Sequence, residues 1–242
     1  MKIVIAYLYY DLLNLYGESG NIKFLKNHLE SQGIEVIIKS LTITDEIDFN
    51  SYDLVIMSAG TEENQKLALH HLIKYKTEIK AAIEAGKYFL ITGNAIDLFG
   101  KEINYLDGKK IEALNIFDYK VSESEKRIVN DALFLNKETN EYVIGFQNQS
   151  SILSNNNNPL FEVLVGTGAK KGFKEEGIHY KNFYGTYLIG PLLVRNPAFA
   201  KEFMKELILS IDKNFEIKDF DLDFETEAYE KYFNLHYNEI AK

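Results

Sequence analysis

Five histidines and no cysteine bound the chemistry open to this 242-residue chain. Without a thiol there is no disulfide, no thiolate metal site and no sulfur nucleophile. An oxygen nucleophile would need a base beside it. Thr92 ends a strand-like run, and Asn94 and Asp97 follow in the same turn. No pattern brings a histidine to them. His179 lies in a strand-like segment far along the chain and reads as a surface or packing residue. His70 and His71 are adjacent, and neighbours i and i+1 do not share a helix face, so they make no metal pair. The acidic run over 217–230 lacks EF-hand spacing and reads as a solvated helix face. The run Tyr16–Asn21 (YGESGN) has neither the lysine of a P-loop nor the glycine spacing of a dinucleotide site. It reads as a helix start with Ser19 near the N-cap. No cofactor and no metal are implied.

The elements that must position these residues are legible from hydrophobic patterning. Residues 2–10, 35–41, 53–58 and 88–92 are near-continuous apolar runs, as expected of strands covered on both faces of a parallel sheet. Ile22, Leu25 and Leu29 mark a helix between the first two, with Gly33 at its stop. Leu69, Leu72, Ile73, Ile79 and Ile83 mark a helical stripe ending at Gly86. This order is that of right-handed βαβ units. From about residue 103 the texture changes: 142–149, 160–168 and 178–194 hold strand-like runs broken by Gly and Asn turns. The segment 199–212 returns to helix through Phe199, Phe203, Leu207 and Ile211. An acidic, aromatic tail over 221–241 sets Phe224, Ala228, Tyr232 and Leu235 on one helical face, which is expected to dock on the domain body. The expectation is one α/β domain with an open sheet over 1–212, carrying a helical tail over 213–242. Ligands of such sheets bind at the carboxyl ends of the strands. The loops there are 11–20, 59–65 and 93–100.

Charge narrows the partners. Asp and Glu outnumber Lys and Arg by 36 to 27, a net −9, which argues against a nucleic acid or an anionic membrane surface. No apolar run approaches the roughly 18 residues that span a bilayer. The start, MKIVIAY, reads as a first strand rather than a signal peptide, so a cytoplasmic location is expected.

Those three loops, with the segment 145–197, resemble one family. The run DLLNLYGESGNIKFLKNHLESQGIEV (11–36) looks like the opening of GatD, the glutaminase-type subunit of lipid II isoglutaminyl synthase, related to the cobyric-acid-synthase class of glutamine amidotransferases. GTYLIGPLLVRNPAFA (185–200) resembles its GTYLHGPLLPKNP segment, SAGTEENQ (58–65) its GGGQDxxQ loop, ITGNAIDLFG (91–100) its xxCGGYQLLG nucleophile turn, and IGFQNQSS (144–151) its GFENHSGR. DLDFETEAYE (221–230) faintly echoes its ending. The resemblance implies a flavodoxin-like class I glutamine amidotransferase fold, with a mostly parallel central sheet and helices on both faces. It also implies a Mur-ligase-like partner (MurT-type) that activates the substrate carboxylate with ATP, while glutamine supplies ammonia to the D-glutamate of the lipid II stem peptide.

That chemistry needs a thiolate on a tight turn, a histidine base and backbone N–H donors for the oxyanion. Matched residue by residue, the nucleophile position is Gly93 and the base position is Ile189. Asn94 and Ala95 stand for the two glycines after the nucleophile, and Ser58 and Ala59 for two of three oxyanion-loop glycines, with Gly60 kept. Gln65 keeps the family glutamine. Arg127 matches an arginine that holds the glutamine α-carboxylate by a two-pronged contact; otherwise it is a solvated arginine near Glu123 and Glu125. Two readings follow: a non-catalytic GatD-like subunit with a vestigial pocket at Gly60, Gln65, Asn94 and Arg127, serving as scaffold or glutamine sensor, or an amidotransferase-fold enzyme with chemistry repurposed onto Thr92, Asn94 or Asp97. A cobyric-acid-synthase-like amidotransferase homologue is a third, and a free-standing small-molecule sensor a fourth. Gly60, Gly93 and Ile189 are expected to enclose a partly apolar hollow.

Overall fold

A computed structural model of the chain describes residues 1–240; the last two positions of the tail, 241 and 242, lie outside the described residues. The first half builds β1 (Lys2–Leu8), α1 (Ser19–Ser31), β2 (Glu35–Leu41), β3 (Leu54–Met57), α2 (Glu62–Leu72), α3 (Lys76–Glu84) and β4 (Tyr88–Thr92). The second adds β5 (Glu102–Asn104), β6 (Lys110–Glu112), β7 (Lys120–Asn136), β8 (Glu141–Ser154), β9 (Phe161–Val165), β10 (Glu175–Glu176), β11 (Ile178–Tyr180), β12 (Phe183–Thr186) and β13 (Leu188–Ile189). The chain closes with α4 (Leu192–Arg195), α5 (Pro197–Ile211) and α6 (Asp223–His236).

The central sheet runs β11-β12-β4-β3-β1-β2 and is parallel except at its β11 edge. Its strands are apolar on both sides because both faces are covered. Along β1, Ile3, Ile5 and Tyr7 join α1 and α5 in one core, while Ala6 and Leu8 join α2 and α3 in the other. The expected α/β layering is therefore present. Gly33, with φ +81°, ends α1 as its pattern foretold. The stripe from Leu69 to Ile83 is two helices rather than one, with a tight turn at Ile73–Tyr75 that leaves Ile73 exposed.

The expectation of one open sheet was incomplete. A second sheet, β10-β9-β7-β5-β6 with β8 on β7, is built on a long antiparallel hairpin. Patterning does not mark β7 because its first 12 residues, KVSESEKRIVND, are largely charged and half-exposed; only Ala132, Leu133 and Phe134 form a buried run. The hairpin also pairs with β13, aligning Leu188 with Gln147 and Ile189 with Phe146. The chain thus leaves the central sheet at Thr186 and joins the second at Leu188, with Tyr187 buried at the crossing. Within the strand-like run 178–194, residues Leu192–Arg195 are helical, started after Pro191.

The tail packs on the body through Tyr232 of the expected face and through a neighbouring stripe in place of the rest. Tyr229, Tyr232, Phe233 and Tyr237 pack against Leu133 and Ile144, whereas Phe224 and Leu235 are 85% and 78% exposed and Ala228 is exposed. The stripe buries ring area, and two of its tyrosines keep a polar partner: Tyr229 donates to the Tyr142 carbonyl at 2.9 Å and Tyr232 to Asp131 at 3.2 Å.

Candidate functional site

Gly93 opens a short 3-10 helix, Gly93–Phe99, directly at the end of β4, with φ +61°. A side chain at this position would face both backbone strain and a filled space. A Cβ built there would lie 2.5 Å from the Ala59 Cβ and 3.0 Å from the Ile189 Cγ2. The strand ends therefore meet at these positions, but the hollow expected between them is occupied by the methyl of Ala59 and the side chain of Ile189. Packing at such distances leaves no room for a nucleophile's side chain.

Gly60 is adjacent and equally engaged. Its amide N–H donates to Asn94 Oδ1 at 3.0 Å, and Asn94 Nδ2 donates back to the Gly60 carbonyl at 2.9 Å. An oxyanion hole depends on backbone donors left free and aimed at the reacting atom. Here the Gly60 N–H is spent on a side chain. Gln65, in the second turn of α2, is 3% exposed and donates to the Asn94 carbonyl at 2.5 Å and to Asp97 Oδ2 at 2.9 Å. Gln65, Asn94 and Gly60 are therefore one cross-linked unit.

Asp97 is fully buried and held by three uncharged donors: Gln65, Ser151 Oγ at 2.5 Å and the Tyr187 hydroxyl at 2.7 Å. Burial outweighs these donors and pushes its carboxyl up to about 6.

Two further buried carboxylates were not anticipated. Glu18, just before α1, accepts from Thr92 Oγ1 at 2.7 Å, from the Gly190 N–H at 2.6 Å and from Asn21 Nδ2 at 3.2 Å. It ties the loop after β1 to the end of β4 and to the residue after Ile189, and desolvation raises it to about 7. Glu176 accepts from the Tyr187 N–H at 2.6 Å and from Thr186 Oγ1 at 2.8 Å, and burial likewise raises it to about 7. Ser19 stands next to the cap position of α1, which is Glu18. Ser19 is the first helical residue, and its own N–H is taken by Asn14 Oδ1 at 3.0 Å.

Thr92 donating to a carboxylate is the contact a hydroxyl nucleophile would need, yet both residues have no exposed surface. No substrate carbonyl can approach Thr92 while these side chains stay in place.

Arg127 sits on the irregular stretch of β7 between Glu123 and Ile128. Its guanidinium meets Glu62 Oε1 at 2.8 Å and also donates to Asn148 Oδ1. Its ion-pair partner is thus Glu62 rather than Glu123 or Glu125. Glu62, which also accepts from Ser150 at 3.1 Å, takes the Nη1 donor, and Asn148 takes Nε. Asn148 in turn donates to the Tyr16 hydroxyl at 2.9 Å, extending the surface network.

Three of the five histidines are engaged elsewhere. His71 meets the Tyr9 hydroxyl at 3.0 Å, His179 stacks on Tyr184 with ring centroids 4.4 Å apart, and His28 lies 3.5 Å from Glu225. His71 is buried and His70 exposed, as their adjacency requires. Among the described residues no group of three His, Cys, Asp or Glu side chains is arranged to hold a metal ion. No helix among them is long and apolar enough to cross a membrane.

Comparison with known proteins places this geometry in context. Residues 4–197 match the model of the CobB/CobQ-like glutamine amidotransferase domain. The chain is 31% identical over 227 residues to the lipid II isoglutaminyl synthase (glutamine-hydrolyzing) subunit GatD of Staphylococcus aureus (strain N315), covering 94% of this chain and 93% of that protein. It is 32% identical over 202 residues to the corresponding GatD subunit of Streptococcus pneumoniae (strain ATCC BAA-255 / R6), covering 82% and 78%. Among solved structures, a glutamine amidotransferase superposes with a TM-score of 0.55 at 14% identity, covering 84% of this chain and 98% of that one. That likeness speaks for the fold alone.

Proposed function

This chain belongs to the CobB/CobQ-like glutamine amidotransferase family, and from that premise we propose that it is a GatD-like subunit in the amidation of a peptidoglycan precursor, the D-glutamate of lipid II, that does not itself hydrolyse glutamine. The precursor role rests on the names of relatives matched over most of their length. In this reading the partner is a Mur-ligase-like protein of the MurT type, the setting is the cytoplasm, and residues 213–242 form a tail of the same domain. The chain acts as scaffold or as glutamine sensor.

One observation carries the inactivity: the Asn94 carboxamide engages both backbone groups of Gly60. A chain without cysteine could still have kept the oxyanion loop open, and this one has closed it. Gly93 and Ile189 stand at the nucleophile and base positions with no space between them. Losing one member of a catalytic unit costs about as much as losing several, typically several orders of magnitude.

The purified chain is therefore expected to release no ammonia from glutamine, alone or with a Mur-ligase-like partner, and to co-purify with that partner. Gly93→Cys, and Gly93→Cys with Ile189→His, are both expected to stay silent. In each, Ala59 still crowds the new Cβ and Asn94 still holds Gly60. Adding Ala59→Gly and Asn94→Gly to the double variant is the smallest change expected to bring activity back. Ammonia release by the unmodified chain, abolished by Thr92→Ala or Asp97→Ala, would instead establish the repurposed enzyme.

A further inference from the structure

Two surfaces of opposite charge lie beside each other along the β7–β8 hairpin, and each exposes apolar side chains. The first is a groove of about 820 Å³ between the irregular stretch of β7 and the loop after β9. Four cations border it, Lys126, Arg127, Lys170 and Lys171, against Glu123 and Glu125. Among the described residues only Arg127 of these four is in an ion pair, with Glu62, while Lys170 lies over the Phe173 ring at 5.0 Å. Leu106 and Val129 line the same groove and are each 57% exposed. The groove is therefore locally positive on a chain whose net charge is −9. The second surface is the outer face of α6, where Phe224 and Leu235 stand clear of the body. At 3.6 residues per turn these two positions fall on one side of the helix, about 16 Å apart. Residues 221–231 around them carry five carboxylates against the single cation Lys231.

We propose that the chain forms a two-fold dimer in which the outer face of α6 of each copy lies in the β7 groove of the other. The two surfaces match in charge and in apolar content: lysines meet carboxylates at the rim, and Phe224 and Leu235 cover Leu106 and Val129. The helix does not reach its own groove, because its inner face is held on the hairpin. Tyr232 donates to Asp131, two residues along β7 from Val129, and Tyr229, Phe233 and Tyr237 pack on Leu133 and Ile144. Helix and groove thus share one hairpin, so a two-fold rotation sets each helix over the other copy's groove. Both contacts are then made at once, as a closed isologous interface requires. The inference stands apart from the proposed function.

Sedimentation equilibrium of the full chain tests this. At low salt a species of twice the 27.9 kDa of one chain is expected to grow with concentration. It should be half-formed on the order of 10–100 μM, as suits a small interface with few apolar anchors. Raising salt from about 0.05 M to about 0.5 M should weaken it several-fold, because the charges are exposed. Two sets of substitutions, all at exposed positions, should each leave a folded monomer. One is Lys126→Glu with Lys170→Glu and Lys171→Glu in the groove; the other is Glu227→Lys with Glu230→Lys on the helix. Mixed together, the two variants should dimerise again, because one contact keeps its original signs and the other has both signs reversed. Phe224→Ala with Leu235→Ala should weaken the parent dimer roughly tenfold while leaving the unfolding of the dilute monomer as it was. A chain that stays monomeric up to about 1 mM, a dimer unmoved by either charge set, or a mixture that does not restore it overturns the proposal.

Discussion

Asn94 spans the N–H and the carbonyl of Gly60 with one carboxamide, and no isosteric carboxylate can do both. Asn94→Asp would keep the acceptor but turn a second oxygen toward the Gly60 carbonyl. It is expected to cost about 1–3 kcal/mol, the usual range for a buried polar group left unsatisfied. Equilibrium urea unfolding would measure this, and a variant as stable as the parent would remove the clasp from the account. Residue-by-residue resemblance did locate Gly60, Gly93 and Ile189, because loops that follow strands of a fixed sheet keep their meeting point whatever side chains they carry. It could not locate Glu18 or Glu176. Nothing in YGESGN or KEEGIH distinguishes a buried glutamate from a solvated one. The burial comes from Thr92, Gly190, Thr186 and Tyr187, which are distant in sequence and adjacent only in the folded chain.

At the level of elements, periodicity read well where a strand or helix buries one kind of surface, and poorly where it faces both protein and solvent. β3 (LVIM) and β4 (YFLIT) are buried along their whole length and were plain in the sequence. β7 is a strand because β8 and β9 pair with it, not because KVSESEKR prefers to be one. The tail helix carries two apolar stripes offset by one residue, and periodicity alone favours the one through Phe224, Ala228, Tyr232 and Leu235. The stripe through Tyr229 and Phe233 is the one that packs. Substitution separates the two. Phe224→Ala and Leu235→Ala are expected to change stability by no more than about 0.5 kcal/mol, as exposed positions do. Phe233→Ala, which removes a ring stacked on Tyr142 with centroids 5.3 Å apart, should cost clearly more, on the order of 1–3 kcal/mol. Thermal unfolding of the three variants would decide, and equal losses would contradict the observed docking.

Across the whole molecule the three buried carboxylates act in one direction. Glu18 and Glu176 are raised to about 7 and Asp97 to about 6, all by desolvation, with no cation in hydrogen-bond contact with any of them. In the unfolded chain these groups titrate near 4. Between roughly pH 4.5 and 7 the folded state therefore binds more protons than the unfolded state. Stability must then fall as pH rises through that window and level off above it. A shift of one unit corresponds to 1.36 kcal/mol, so each group is worth on the order of a few kcal/mol between the two ends of the window. The exposed pairs, such as Glu102 with Lys110 and Lys120, pull the other way. They do so only at lower pH, because Glu102 is held down to about 2, and solvent screens them. The net charge of −9 adds self-repulsion on the alkaline side. Urea unfolding at pH 5.5, 6.5 and 8.0 is expected to give steadily lower midpoints. Glu176→Gln keeps an acceptor for the Tyr187 N–H and removes one titration, so its midpoint should change less over the same range than the parent's. A parent midpoint that is flat or rises from pH 5.5 to 8.0 would mean that the carboxylates are charged and paired in the folded chain, and that the closed site is held by ions rather than by shared protons.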